Sequence, residues 1–300
     1  MRIAFSTLTA LGLALSAAPA LAQTAAQDTP LGAEAAPADA REAAPEILRK
    51  WVDARAGTGE PVHWVSEGGI YEYPSGKKLA GMIGFDSSRA IWPDTSGEPV
   101  THLTRKTYAY THPDTGEILT TWKGRPVEPI AYPYQLITYR YDEGESESGG
   151  GSRIYADVEQ GTGDAVRKMK STEGMQARMM GNTLAVTAAV FLDFSLPGGG
   201  TYEAWENYDF FIQPEGSVEE PHQMSWQRYG APPPFLAPDM EDGGKVIYHL
   251  LNHRVESHDE FDPKLLAWAR QNRPQWLAPP ADIAEIRALQ EEAEGTGWAR

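Results

Sequence analysis

A long succession of short strand-like segments between Pro61 and His253 is the feature that most constrains how this chain can fold. Gly, Pro, Asp and Ser separate the segments, and no regular alternation with helices accompanies them. Because parallel strands need long crossover connections, usually helices, this spacing favours antiparallel hairpins. The predicted strands span residues 62–66, 70–73, 79–85, 89–92, 102–111, 118–122, 134–141, 153–158, 184–194, 202–212, 223–229 and 246–251.

Helical patterns flank these strands. Apolar residues recur at helical spacing over 46–52, which predicts a short helix that Gly57 ends. Near the C-terminus, Asp262 has the character of an N-cap before Pro263, and a second acidic helix is predicted over 282–294. We therefore predict a mainly β fold, a single antiparallel barrel-like domain of calycin or lipocalin type over residues 45–295, with N- and C-terminal helices. A β-sandwich is the alternative architecture.

Two loops have a clear local signature. Residues 112–117 read His-Pro-Asp-Thr-Gly-Glu, in which Pro presets φ, Asp bonds its own backbone and Gly accepts a positive φ. This turn predicts a hairpin between residues 101–111 and 118–122. Residues 144–151 combine Gly, Glu and Ser, and predict a flexible acidic loop.

The first 22 residues have the pattern of an export signal. Arg2 precedes a run of small apolar residues, and Ala20 and Ala22 are small residues at the −3 and −1 positions of a cleavage site. We predict a signal peptide over residues 1–22, followed by a flexible Ala/Pro-rich leader over residues 23–44. An uncleaved membrane anchor is the alternative. The protein is expected to be periplasmic or secreted, with no membrane span in the mature chain.

Composition and absent motifs exclude several chemistries. The 300-residue chain has no Cys, which removes disulfides, thiol nucleophiles, zinc–cysteine sites and iron–sulfur clusters. Its formal net charge of −16 argues against a nucleic-acid partner, since a phosphate backbone requires a basic surface. P-loop, dinucleotide-binding and nucleophile-elbow motifs are missing, so we expect no cofactor. No metal is expected at His249 and His253, because a strand would place them about 13 Å apart.

Aromatic residues with polar tips are dense on the predicted strands. The 13 Tyr and 9 Trp residues each outnumber the 8 Phe residues. Residues 202–209 place carboxylates on both faces of one strand, so one set must point inward or lie along a rim. An inward carboxylate beside Tyr or Arg is costly unless it is hydrogen-bonded, and such groups often mark a ligand site. The alternative is structural, with packed cross-strand Tyr pairs and solvated charge pairs.

These residue types predict a site for proton transfer. Carboxylate, imidazole and hydroxyl groups carry protons, guanidinium groups bind anions, and aromatic rings stack on flat molecules. The predicted catalytic residues are Glu206, Tyr108, Arg105, Arg228 and His249. The predicted substrate-binding residues are Trp122, Tyr132, Glu203, Tyr208 and Trp226. Either Glu206 or Glu203 is the expected base, with His249 as a further candidate.

Three segments carry a family resemblance. Residues 105–122 hold an Arg and a Tyr before an Asp-Thr-Gly-Glu turn, with a Trp after it, and residues 225–240 hold Trp-Gln-Arg followed by a Pro-rich, Met-containing segment. Together with the Pro-Pro of residues 276–280, this pattern resembles an exported bacterial family that is filed as a domain of unknown function. Two departures are His-Pro-Asp in place of Asp-Pro, and Lys123-Gly124 where the family has Asn-Pro. The resemblance implies a shared fold and site over most of the chain, without an activity.

The residues allow three functions. The first is a cofactor-independent lyase or isomerase that acts by general acid–base catalysis on a small aromatic or apolar molecule, by retro-aldol cleavage or dehydration, in an aromatic-lined barrel pocket. The alternative is a non-catalytic periplasmic protein that binds a small molecule. A polysaccharide hydrolase ranks last, because it needs two carboxylates about 5–10 Å apart in an open groove. The oligomeric state is not indicated.

Overall fold

The computed structural model describes residues 40–142, 152–162, 165–170, 174–195, 201–214, 221–241 and 243–296. The predicted signal peptide, all but the last five residues of the leader, and the predicted acidic loop of residues 144–151 lie outside this part of the chain. The helices are α1 (Ala40–Ala43), α2 (Glu46–Ala56), α3 (Pro263–Asn272) and α4 (Ile283–Thr296). The strands are β1 (Val62–Tyr73), β2 (Lys78–Ile91), β3 (Val100–Thr111), β4 (Thr121–Trp122), β5 (Arg125–Pro126), β6 (Ile130–Asp142), β7 (Arg153–Thr162), β8 (Ala165–Lys170), β9 (Met175–Met180), β10 (Thr183–Ser195), β11 (Thr201–Ile212), β12 (Gln223–Gly230) and β13 (Lys245–Val255).

The sheet closes on itself into a barrel. Within the described residues, ten antiparallel strands follow one another in the order β6-β3-β2-β1-β13-β12-β11-β10-β9-β7, and β6 pairs with β7 to complete the ring. Strand β8 extends β7 as a hairpin outside this ring. The prediction of a mainly β barrel with N-terminal and C-terminal helices is therefore confirmed, and the β-sandwich alternative is excluded.

Several predicted strands are pieces of longer ones. Strand β1 runs through Gly68 and Gly69, which the sequence analysis treated as a break. A Cβ atom at Gly68 would lie 2.0 Å from the carbonyl oxygen of His249 on β13, so this glycine allows close contact between backbones inside a strand. Strands β8 and β9 were not predicted, because their Lys, Arg and Met residues lack the β-branched pattern.

The predicted hairpin after β3 is only partly correct. The turn forms, with His112 N donating to Glu117 O at 2.8 Å and Gly116 at φ 69°. Pairing continues only to a single bridge between Thr111 and Ile118. Beyond it, β4 pairs with β5, and the long partner of β3 is β6. Turn chemistry sets the reversal of the chain, whereas burial over the whole sheet sets the strand partner.

Helix α2 closes one end of the barrel. It contacts strands on opposite sides of the ring, β2 and β3 on one side and β10 and β11 on the other. Trp51 is 1% exposed, and its ring meets those of Phe210 and Tyr139 edge-on at 4.7 and 5.9 Å. About eight strands give a barrel interior just wide enough for its own side chains, so a ring of ten strands is wide enough to accept this helix at one end.

The C-terminal helices pack on the outside of the barrel. Helix α3 begins where predicted, with Asp262 Oδ1 accepting hydrogen bonds from Lys264 N and Leu265 N at 2.8 and 3.2 Å. The outward side chains of β1 and β2 form a second apolar cluster with this helix and with the 3-10 turn Pro274–Leu277. Helix α4 covers the outward residues of β3 and β6 through Ile286.

A buried histidine lies beneath the C-terminal segment and predicts a pH effect. His63 Nδ1 lies 3.0 Å from Ser87 Oγ, which donates to the carbonyl oxygen of Trp276 at 2.9 Å. Burial lowers the pKa of His63 to about 4, and the positive charge of His258 adds to this effect. Since an unfolded histidine titrates near 6.5, the unfolded state binds more protons between about pH 6.5 and 4, and stability falls as the pH falls through this window.

We expect His63→Asn to flatten that pH dependence by up to about 1.4 kcal/mol per pH unit. The measurement is urea unfolding of the wild type and the variant between about pH 4.5 and 6.5. His102 and His222 also have lowered pKa values, because burial disfavours their charged forms, so the variant keeps part of the dependence. Identical pH slopes for the two proteins would contradict the assignment to His63.

Candidate functional site

Strand alternation directs a set of polar side chains into the barrel. Cross-strand partners share a face, and the register pairs Glu206 with Arg228 and Arg228 with Tyr248. The next inward row pairs Tyr208 with Trp226. All five residues therefore face the lumen from β11, β12 and β13.

A buried acid–base group forms around Glu206, which is 4% exposed. Arg228 Nε donates to Glu206 Oε1 at 2.5 Å, and Arg228 Nη2 also contacts this oxygen. Tyr208 donates its hydroxyl to Glu206 Oε2 at 2.5 Å. Although burial disfavours its charge, Arg228 has a raised pKa because Glu206 stabilises the guanidinium. Burial and Glu206 together raise the pKa of Tyr208 well above 10, so its hydroxyl keeps its proton.

Aromatic rings hold the guanidinium of Arg228 in place. Its central carbon lies 5.1 Å from the ring centroid of Trp226 and 5.6 Å from that of Tyr248. Trp226 in turn meets the rings of Tyr208 and Tyr248 at 6.4 and 6.0 Å. The indole Nε1 of Trp226 is buried and has no hydrogen-bond partner among the residues that the structure describes. This wall offers flat faces and a cation to a bound molecule.

A second charged group lies on the other side of the lumen. Arg55 of α2 holds Asp86 of β2 with two hydrogen bonds, from Nη1 at 3.2 Å and from Nη2 at 2.6 Å. Ser88 donates its hydroxyl to the same carboxylate at 3.3 Å. Lys106 of β3 is the cross-strand partner of Asp86, and its Nζ lies 3.6 Å from Asp86 Oδ2. Two cations thus share one buried carboxylate.

Tyrosines connect the two groups. Tyr108 lies on the same face of β3 as Lys106, and its ring packs directly on Gly84, where a Cβ atom would come within 2.3 Å of the ring. Burial raises the pKa of Tyr108, so this hydroxyl also stays protonated. Tyr132 is the cross-strand partner of Lys106 on β6, and it acts electrostatically on Arg228. The charge of Glu206 likewise acts on Lys106.

Solvent reaches Lys106 and Arg228 more than it reaches the two acids. The side chains of Lys106 and Arg228 are each 17% exposed, whereas those of Asp86 and Glu206 are 4% and 5% exposed. The inward Tyr108, Tyr132 and Tyr208 are also half-buried. The accessible surface therefore carries amine, guanidinium and hydroxyl groups, which are hydrogen-bond donors suited to an anion.

Six of the ten predicted site residues come together in this lumen. They are Glu206, Arg228, Tyr208, Trp226, Tyr108 and Tyr132. Of the two carboxylates that the sequence analysis weighed, Glu206 points inward and Glu203 is exposed on the outer face. The reason is parity, because positions 203 and 206 lie on opposite faces of one strand.

The structure places the other three predicted residues away from the lumen. His249 is half-buried on the outer face, with Nε2 3.5 Å from Ser225 Oγ. Trp122 is the last residue of β4 and donates its indole N–H to Asp239 Oδ2 at 2.9 Å. Arg105 lies on the outer face of β3, where it donates to the carbonyl oxygens of Pro133, Gln275 and Ala278 and to the carboxylate of Glu285.

We expect Arg105→Met to destabilise the protein by about 2–4 kcal/mol, because hydrogen bonds to charged groups contribute about 1.5–3 kcal/mol each and this side chain joins the C-terminal segment to the barrel. The measurement is urea unfolding, with limited proteolysis to detect earlier cleavage after α3. Arg89 is the matched control, since it reaches the same segment with one exposed hydrogen bond of 3.3 Å to Ala281 O. A loss no larger than that of Arg89→Met would contradict the anchoring role.

The sequence analysis missed the group around Asp86. The sequence does indicate that Lys106 points into the barrel, because it alternates with Tyr108 on one strand face. Asp86 belongs to a strand that was divided into two, which hid its alternation. Arg55 had no signal, since nothing in the sequence places the end of α2 inside a barrel.

Comparison with known protein families, with curated proteins and with solved structures finds no match for this chain. The family resemblance of the sequence analysis stays a prediction. In the part of the chain that the structure describes, no helix has the length and apolar character needed to cross a bilayer. Among the same residues, no cluster of three or more His, Asp or Glu side chains is arranged to hold a metal ion.

Proposed function

We propose that the barrel takes up a small molecule with an anionic group and a flat aromatic or apolar body, and acts on it without a cofactor as a lyase or isomerase. The observation that carries this proposal is one barrel interior in which Arg228 and Lys106 are partly accessible charges, Glu206 can accept a proton, and Tyr208 and Tyr108 can donate hydrogen bonds. A retro-aldol cleavage or a dehydration needs only these groups.

Each group has a role that follows from its contacts. Arg228, fixed between Trp226 and Tyr248, binds the anionic group of the substrate while the rings cover its flat body. When the substrate anion competes for the guanidinium, Glu206 becomes free to accept a proton. Tyr208 and Tyr108 remain protonated and donate hydrogen bonds to negative charge that develops on a substrate oxygen.

Binding without catalysis is the second candidate, and one observation favours it. Both oxygens of Glu206 are already engaged in hydrogen bonds of 2.5 Å, one from Arg228 and one from Tyr208. A carboxylate held in this way is a poor base until one of these partners moves. Export of the protein, from the predicted signal peptide over residues 1–22, is part of both proposals.

The test is incubation of the purified protein, without added cofactor, with a panel of small aromatic carboxylates and β-hydroxy carbonyl compounds, followed by mass spectrometry. We expect at least one compound to be converted, and Glu206→Gln to slow its conversion about 100-fold or more. Glu203→Gln is the matched control on the same strand, and it should retain wild-type turnover. Binding with no turnover would leave only the carrier function, and equal rates in the two variants would overturn the role of Glu206.

A further inference from the structure

We propose that Lys106 is a nucleophile that forms an imine with the carbonyl group of the substrate, which makes the substrate class a β-hydroxy aldehyde or ketone that carries an anionic group. This inference rests on the proposed lyase function and assigns it a covalent step. Lys106 points into the lumen from β3, opposite Arg228, and 17% of its side chain is exposed there. In this proposal, the carbonyl group of the substrate lies beside this amine and its anionic group lies at Arg228.

Asp86 is held more tightly by Arg55 than by Lys106. Arg55 already neutralises Asp86 through two hydrogen bonds, and Ser88 adds a third. The amine lies 3.6 Å from the nearer oxygen, beyond a good hydrogen bond, so Lys106 is the surplus cation of a buried group. A lysine beside another cation in a desolvated site is the arrangement that activates amines for imine chemistry.

The titration of the amine agrees with this geometry. Burial and the neighbouring Arg55 lower the pKa of Lys106 to about 8, against the opposing effects of Asp86 and Glu206. About a tenth of the amine is then neutral at pH 7, which is several hundred times the neutral fraction of an ordinary lysine. The lysines at 123 and 168 provide a comparison, because their side chains are 61% and 76% exposed.

The chemistry balances without an oxidant or a cofactor. The neutral amine attacks the carbonyl carbon, a C–N bond forms, and the carbonyl oxygen takes a proton to give a carbinolamine. Loss of this oxygen as water gives a protonated imine. The imine accepts the electron pair of the bond between the α and β carbons as Glu206 removes the proton of the β-hydroxyl group, which releases an aldehyde and leaves an enamine. Protonation of the enamine and addition of water release the second product and restore Lys106.

Reductive trapping tests the proposal with pyruvate, a small anionic carbonyl compound. The wild-type protein is treated with pyruvate and cyanoborohydride, and the reduced adduct is located by peptide mass spectrometry. We expect adduct on Lys106 in at least tenfold excess over that on Lys123 or Lys168, formation that increases as the pH rises through about 8, and protection by excess benzoate. Lys106→Arg, which keeps the charge, should abolish this adduct, while Lys123→Arg should leave it unchanged.

The outcomes separate this proposal from the proposed function. Trapping on Lys106 without turnover of any panel compound supports the imine and overturns the lyase. Turnover that survives at the wild-type rate in Lys106→Arg overturns the imine and keeps the acid–base lyase. Adduct spread evenly over surface lysines, or a yield that does not depend on pH near 8, also overturns the imine.

Discussion

Asp86→Asn is expected to lower the free energy of unfolding by about 3–5 kcal/mol, because it removes the single carboxylate that offsets two buried cations. Asp86 is 4% exposed on its side chain, and both of its oxygens lie within ion-pair distance of Arg55 or Lys106. Asn keeps the shape of the side chain, so the loss reflects charge rather than a cavity. Urea unfolding followed by tryptophan fluorescence at pH 7 gives the value.

Two further variants identify the cause of that loss. Glu46→Gln removes the acid of an exposed helical ion pair with Lys50 and should cost less than about 0.5 kcal/mol. Lys106→Met, combined with Asp86→Asn, removes the surplus cation and should recover part of the stability. If Asp86→Asn lowers the free energy of unfolding no more than Glu46→Gln does, the charges of Asp86, Arg55 and Lys106 do not stabilise the fold.

Arg228→Met is the second substitution with a large expected effect, again about 3–5 kcal/mol. It leaves the carboxylate of Glu206 buried with only Tyr208 as a hydrogen-bond donor. Glu206→Gln should also destabilise the protein, because the guanidinium then lacks its counter-charge. The double variant should lose clearly less free energy of unfolding than the two single variants lose in sum, because it leaves no buried charge without its partner.

A double-mutant cycle measured by urea unfolding gives the coupling energy directly. We expect coupling of at least about 1 kcal/mol, and we expect added salt to change it little because the carboxylate of Glu206 is only 5% exposed. Glu203 and Arg228 provide the control cycle, because Glu203 lies on the same strand but on the outer face. Additive losses in the Glu206–Arg228 cycle would contradict the buried pair.

The sequence predicts which face of a strand a side chain occupies better than it predicts which strands lie side by side. Alternation along β3 and β11 places Tyr108, Glu206 and Tyr208 on one face, because the side-chain period of a strand is two residues. It does not say which strands lie side by side. Lys106 on β3 and Glu206 on β11 lie inside the same barrel because β6 pairs with β7. No local pattern encodes this long-range pairing.

Two local rules were also overridden by packing. Gly68 and Gly69 continue a strand instead of ending it, since the neighbouring backbone comes too close for a side chain. Arg105 shares a strand with Tyr108 but is satisfied by carbonyl oxygens of the C-terminal segment, far along the chain. Caps and turns were predicted well, as Asp262 and Gly116 show, because their causes lie within a few residues.

We expect the interior of the barrel to bind a small anionic molecule. Isothermal titration calorimetry with benzoate and with benzamide tests it directly, because the two compounds share size and shape and differ in charge. We expect one site that binds benzoate at least about tenfold more tightly than benzamide, a difference of about 1.4 kcal/mol that shrinks in Arg228→Lys and persists in Glu203→Gln. Equal affinity for the two compounds, or no binding of either, would contradict it.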